Sequence, residues 1–380
     1  MLDNTFNKKE SPLVGMMGGG PGGPLGISGG AASGPTYVDD VFSTFLYNGT
    51  GSAQTITNGI DLSGEGGLVW AKVRNSTINH HLVDTERGGS KYIRTTQTNG
   101  EGTDTTMITS FNSDGFTIGS SVYFSQSPRP YATWTFRKAP GFFDIVTYTG
   151  DSDINRTVSH SLGSVPGMII VKKTSSSGGW YTWHRDLGGT GKALEINSTA
   201  GTDTNSNLFS TLPTATEFSP GDNSHTNQAS QTYVAYLFAH DDQSFGTDSD
   251  EAIIKCGTYT GNNSSVNGTE VNLGFEPQWI LIKNISRNND PYTSWYIFDN
   301  MRGLTAGYGT GNGNEAILLA NKTNAESDDA LLSPTPTGFK LGQTGYNVNY
   351  GGDDYIYMAI RRPHKPPTAA TEVFALDATA

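Results

Sequence analysis

Two tryptophans stand four residues ahead of a hydrogen-bonding side chain, Trp180 before His184 and Trp295 before Asp299. An indole beside a polar group is a common way to hold a sugar ring: the flat face covers C–H groups while the polar group binds a hydroxyl. Both pairs lie in short aromatic segments, Trp-Tyr-Thr-Trp-His and Trp-Tyr-Ile-Phe-Asp, which read as strands. Alternation then places Trp180, Thr182, His184 and Trp295, Ile297, Asp299 on one face, with Tyr181, Trp183 and Tyr296, Phe298 on the other. The second set is the more uniformly apolar and is assigned to the core. That turns the first set outward and makes Trp180, His184, Trp295 and Asp299 the candidate carbohydrate-binding residues. The competing and commoner use of such an indole is to cover a sheet end or pack against the next unit. A matching segment earlier in the chain reads His80, Leu82, Asp84, so the stacking aromatic is not shared by all copies.

Other chemistry finds less support. A sandwich-fold glycosidase needs two carboxylates facing each other across a cleft, and the nearest cluster, Asp248-Ser-Asp250-Glu251, sits in a polar stretch ahead of its strand. No Ser, Cys or His stands in a nucleophile motif. Gly307-Tyr-Gly-Thr-Gly311 lacks the Lys-Ser/Thr of a phosphate loop. His80-His81 with Asp84 does not recur as a ligand set, and the pairs Asp241-Asp242, Asp328-Asp329 and Asp353-Asp354 match no twelve-residue calcium loop. The expectation is a non-enzymatic protein with no catalytic residue, no metal and no cofactor. A net charge of −12 opposes a nucleic-acid partner, which needs a basic face. No apolar run approaches 18 residues, so no membrane insertion is expected. The lone Cys256 lies in Ala252-Ile-Ile-Lys-Cys256 and reads as a small strand residue.

The elements that position these residues come in triplicate. Gly67-Leu-Val-Trp-Ala-Lys72, Gly167-Met-Ile-Ile-Val-Lys172 and Gln278-Trp-Ile-Leu-Ile-Lys283 are apolar runs closed by a lysine, each read as a strand buried on both faces with a polar exit. A leucine stands ten residues before each lysine (Leu62, Leu162, Leu273). An aromatic-x-Gly comes earlier still, at Tyr47-Asn-Gly49, Tyr148-Thr-Gly150 and Tyr259-Thr-Gly261. Downstream come Phe116, Phe218 and Phe339, each with a glycine three on. The closing strands are Tyr131-Ala-Thr-Trp-Thr-Phe136, Tyr233-Val-Ala-Tyr-Leu-Phe238 and Tyr355-Ile-Tyr-Met-Ala-Ile360. A unit of roughly 100 residues with several strands is large enough to be a sandwich, and too large for a solenoid repeat. The fold class is therefore all-β: three tandem antiparallel β-sandwich or jelly-roll domains in a row, behind a Gly-rich extended arm.

The expected boundaries are an arm at 1–37, repeats at 38–139 and 140–241, an acidic flexible linker at 242–251, a third repeat at 252–363 and a Pro-containing tail at 364–380. Between Gly15 and Gly34 half of all positions are glycine, which cannot bury enough surface to fold alone. The apolar residues Phe6, Leu13, Val14, Met16 and Met17 give that arm the character of an assembly device, laid into a groove on a partner or a neighbouring subunit.

The Gly-rich start after Leu2-Asp-Asn-Thr-Phe6, the repeated Tyr-x-Gly and apolar-Lys strands, and above all Tyr355-Ile-Tyr-Met-Ala-Ile-Arg-Arg-Pro363 resemble uncharacterised virion proteins of marine tailed bacteriophages. The resemblance covers most of residues 1–367 and implies jelly-roll, concanavalin-like domains in a virion part, with no catalytic residue carried over. It points to a structural or host-recognition part of a particle; the expectation is a tail or tail-fibre component for host contact, with a capsid decoration or head-fibre protein, or a carbohydrate-binding module or glycosidase, as alternatives. The expected partners are other virion proteins and further copies of itself, and a host surface glycan.

Overall fold

The apolar-lysine runs become the central strands of three antiparallel sheets in a computed structural model, which describes residues 35–304, 315–342 and 347–366. The assembly-arm residues Phe6, Leu13, Val14, Met16 and Met17, and the glycine loop at 307–311, lie outside the described residues. The first sheet runs Phe42–Asn48, Pro130–Arg137, Gly67–Val73, His81–Asp84 in spatial order. The second begins Phe143–Thr149, Thr232–Phe238, Met168–Lys173, Trp180–His184, and the third Ile254–Thr260, Asp354–Arg361, Pro277–Asn284, Trp295–Asp299. The order is the same three times, so each repeat folds by one pattern. A smaller sheet closes each sandwich: Gln54–Thr57, Gly115–Ile118 and Ile108–Asn112 in the first repeat, Val158–Ser159 with Glu217–Phe218 in the second, and Glu270–Asn272, Gly338–Leu341 and Leu332–Thr335 in the third. The architecture is all-β, as the repeat pattern predicts.

The Tyr-x-Gly signature has a steric cause. Each tyrosine stacks on the first tyrosine of the closing strand, with ring centroids 5.0 Å apart for Tyr47 and Tyr131, 5.1 Å for Tyr148 and Tyr233, and 5.0 Å for Tyr259 and Tyr355. The glycine two on then passes so close to the loop before that strand that a Cβ would collide with Gln126 O, Gln228 O or Tyr350 O. Only glycine lets the two backbones approach in this way.

Burial on both faces explains why the central strands read as continuous apolar runs. In the first repeat Val69, Ala71 and Val83 enter their own sandwich with Ile56, Phe116 and Ile118. Leu68, Trp70, Leu82 and Trp134, one residue out of phase, enter a second core that also holds Trp180, Leu237, Trp279, Trp295, Ile297 and Met358. That second core draws on all three repeats. Phe136 meets Phe238 at 5.6 Å and Trp279 at 5.9 Å, one ring from each repeat. The described residues from 35 to 366 accordingly form one compact unit. The sandwiches do not stand in a row with a free face each; their main sheets pack together about a common centre.

Two further expectations change. The acidic stretch before the third repeat is not a free linker. Phe245 is buried and bridges to Glu251, while Gly246 N donates to Thr36 O at 2.9 Å. Glu251 in turn pairs with Arg361 and His364, and His364 packs edge-on against Tyr37 at 5.4 Å. The start and the end of the described body are thus clamped side by side through this stretch. The lysines that close the apolar runs are not polar exits either: Lys72, Lys172 and Lys283 are all buried.

Candidate functional site at the seams between repeats

Trp180, His184, Trp295 and Asp299 are all buried, none more than 1% exposed, so none presents a face to a sugar. Alternation separates the two faces of each strand, but the face expected to be exposed is buried too: turned away from its own sandwich, it meets the common centre instead of water. Trp180 Nε1 donates to Arg94 O and Gln97 O of the first repeat, both at 3.0 Å, and Trp295 Nε1 donates to Glu195 O of the second at 2.9 Å. Each indole packs against the preceding repeat.

The positions of Asp84, His184 and Asp299 carry the seams. Between the first and second repeats, Tyr236 donates its hydroxyl to Asp84 Oδ2 at 2.7 Å. Between the second and third, His184 Nδ1 accepts the Asp186 amide at 3.2 Å, which leaves the Nε2 proton to donate to Tyr357 O at 3.2 Å. Burial holds this imidazole neutral by pushing its pKa down to about 3. Between the third and first, Trp134 Nε1 donates to Asp299 Oδ2 at 2.9 Å. Three equivalent positions, each bonded to the next repeat in the same cyclic sense, close the chain into a ring.

The carboxylates at two seams carry a paired arginine. Asp84-Thr-Glu-Arg87-Gly88 and Asp299-Asn-Met-Arg302-Gly303 form capped turns in which the carboxylate accepts both the arginine amide, at 2.9 Å, and its Nε, at 2.7 and 2.6 Å. Both pairs lie buried against a neighbouring repeat. Arg87 reaches on to Glu101 at 3.2 Å, and Arg302 to Glu326 at 3.3 Å. The second repeat has His184 and Leu187 in place of the aspartate and the arginine.

The three lysines repeat with the same regularity. Lys72 Nζ donates to Val73 O at 2.7 Å and Ser76 O at 2.8 Å; Lys172 Nζ donates to Gly178 O at 2.9 Å and to Thr98 O of the first repeat at 3.1 Å; Lys283 Nζ donates to Thr293 O. Carbonyls supply hydrogen bonds but no full negative charge. Desolvation therefore lowers each pKa from its usual 10.5 to about 7.

The seam between the first and second repeats holds a pocket of about 330 Å³. Arg87 and Glu101 line it from one repeat, and Tyr148, Thr174, Thr232 and Tyr233 from the other. Among the described residues no three or more His, Cys, Asp and Glu side chains come together as a metal site would require. Among them also, no helix is long and apolar enough to cross a membrane.

Residues 38–363 match the family described as Domain of unknown function (DUF7483), and the chain belongs to that family. No curated protein matches it. Among solved structures, one described as "Crystal Structure of the STIV MCP" is similar to 57% of this chain and 85% of its own, at 10% identity and a TM-score of 0.19, too low to bear on fold or function.

Proposed function

We propose that this chain, from a family whose function is unassigned, is a non-enzymatic structural component of a bacteriophage virion. Within the particle it serves as a tail or tail-fibre part attached through its Gly-rich N-terminal arm. The reading begins from the resemblance of the repeated strands to virion proteins, and the closed ring of three sandwiches is the observation that supports it best. The polar side chains that looked available for ligand chemistry, Trp180, His184, Trp295 and Asp299, hold repeats to one another. A chain that commits its aromatic and charged residues to internal seams suits a rigid building block better than an open binding cleft. The body is entered and left at adjacent points, Tyr37 against His364 and Asp40 3.5 Å from Lys365. Attachment there leaves the rest of the surface clear for host contact.

The test is incorporation. Particles assembled with a chain lacking residues 1–36 should lack the protein, while the truncated chain purifies folded and soluble. Electron microscopy of labelled wild-type particles then gives its position. Labelling on the head surface would replace the tail assignment by a decoration or head-fibre role. Absence from purified particles would refute a virion role.

A further inference from the structure

We propose that the pocket between the first and second repeats is a binding site for a guanidinium group, and that the third-to-first seam shows the same site filled from within.

Arg74, Thr174 and Ile285 occupy one position in the three repeats. Each amide donates to the closing strand beside it, at Pro130 O, Thr232 O and Asp354 O, with distances of 2.9, 2.8 and 2.9 Å. Glu101 and Glu326 are equivalent by the same test. The Glu101 amide donates to Thr174 O at 2.7 Å, and the Glu326 amide to Arg74 O at 2.6 Å. Each glutamate also meets the arginine of the capped turn, Arg87 or Arg302.

Two of the seams therefore share one niche, built by a glutamate and a capped-turn arginine, with different contents. In the third-to-first seam Arg74 fills it and grips Glu326 with two hydrogen bonds, Nε to Oε2 at 2.9 Å and Nη2 to Oε1 at 2.6 Å. In the second-to-third seam the position is Ile285, packed against the common core. In the first-to-second seam it is Thr174, whose short side chain turns to Thr232 Oγ1 at 2.7 Å and leaves the pocket of about 330 Å³ open. The glutamate there keeps Arg87 but lacks the second guanidinium that Arg74 gives Glu326. Glu101 Oε1 instead meets Lys91 at 3.1 Å, an ammonium on a side chain 39% exposed. An entering guanidinium would displace that ammonium to water, conserve the local charge and restore the planar two-bond pairing that lysine cannot make.

Calorimetric titration of the full chain with agmatine tests this, with cadaverine as an ammonium control and the tripeptide Gly-Arg-Gly as a protein-like source. Agmatine should bind at least tenfold more tightly than cadaverine. Glu101→Gln should weaken it on the order of tenfold, about 1.4 kcal/mol. Lys91→Ala, at a half-exposed position, should tighten it several-fold and keeps the test valid if Glu101→Gln does not fold. Thr174→Arg should rebuild the Arg74 arrangement, raise the melting temperature and abolish agmatine binding. Tighter binding of Gly-Arg-Gly than of agmatine would point to an arginine on another protein, and the reverse order to a small guanidino compound. No agmatine binding by the wild type, equal binding by Thr174→Arg, or no effect of Lys91→Ala would overturn the proposal.

Discussion

At the scale of single residues, burial decides what each conspicuous side chain does. Trp180 and Trp295 fill the seams and bond carbonyls of the preceding repeat, so their removal should cost stability and leave any glycan affinity unchanged. Each Trp→Ala change should destabilise by about 3–5 kcal/mol, the range for deleting a large aromatic from a core. Denaturant melts beside a glycan-array assay check both halves. The type and spacing of these residues were visible in sequence, and so was their alternation. What was hidden was the environment of the outward face, because a second core looks like a solvent face until the neighbouring repeats are placed. The lysines give a prediction with a definite sign. Their pKa falls from 10.5 in the unfolded chain to about 7 when folded, so between those values the unfolded chain binds more protons. Their contribution to stability is complete above pH 10.5 and is lost as pH falls through about 7. Lys283→Met removes one of the three and should flatten the rise in unfolding free energy between pH 7 and 10. A pH profile unchanged from wild type would show that Lys283 titrates normally in the folded protein.

At the scale of elements, the repeat signatures have causes that single mutations can expose. Gly150 lies where a Cβ would collide with Gln228 O, at the junction that also positions the Tyr148–Tyr233 stack. Gly150→Ala must push the closing strand away and should destabilise by about 1–3 kcal/mol, the usual range for overpacking. Gly59 is the control: it has a φ of +82° with no atom near its Cβ position, so alanine there bears only backbone strain. That strain is about 1–2 kcal/mol and should leave the tyrosine stack intact. Near-ultraviolet circular dichroism separates the two, since only Gly150→Ala should disturb the tyrosine signal. This level was the most legible from sequence. Tyr-x-Gly, the apolar-lysine run and the closing aromatic strand recur in the same order because all three copies build the same sandwich. The lysine misled because it looked like a strand end reaching water. Three carbonyl cages supply its hydrogen bonds instead, and no residue type in the sequence marks a carbonyl.

At the scale of the whole molecule, the seams were illegible for a related reason. The positions that close the ring hold Asp84, His184 and Asp299 on one side and the Tyr236 hydroxyl, the Tyr357 carbonyl and the Trp134 indole on the other. Their types vary because each seam needs only a matched donor and acceptor, and no repeated motif records the match. The consequence is cooperative. Splitting off one repeat would bare Leu68, Trp70, Leu82 and Trp134 or their counterparts, a face no isolated sandwich can leave in water. Separate domains strung on linkers would melt in steps and be cut first between repeats. A ring with a common core should unfold in one transition, with the calorimetric enthalpy equal to the van't Hoff enthalpy. Under native conditions a protease should leave 240–251 intact, because Phe245 is buried and Glu251 is held by Arg361 and His364. Two or three resolved transitions, or early cleavage at 240–251 yielding soluble single repeats, would show that the seams are weak contacts between independent domains. A single transition that shifts to lower temperature with Arg302→Met would place the strength of the ring in its seams. That change strips the buried Asp299 carboxylate of its arginine and should cost about 3–5 kcal/mol.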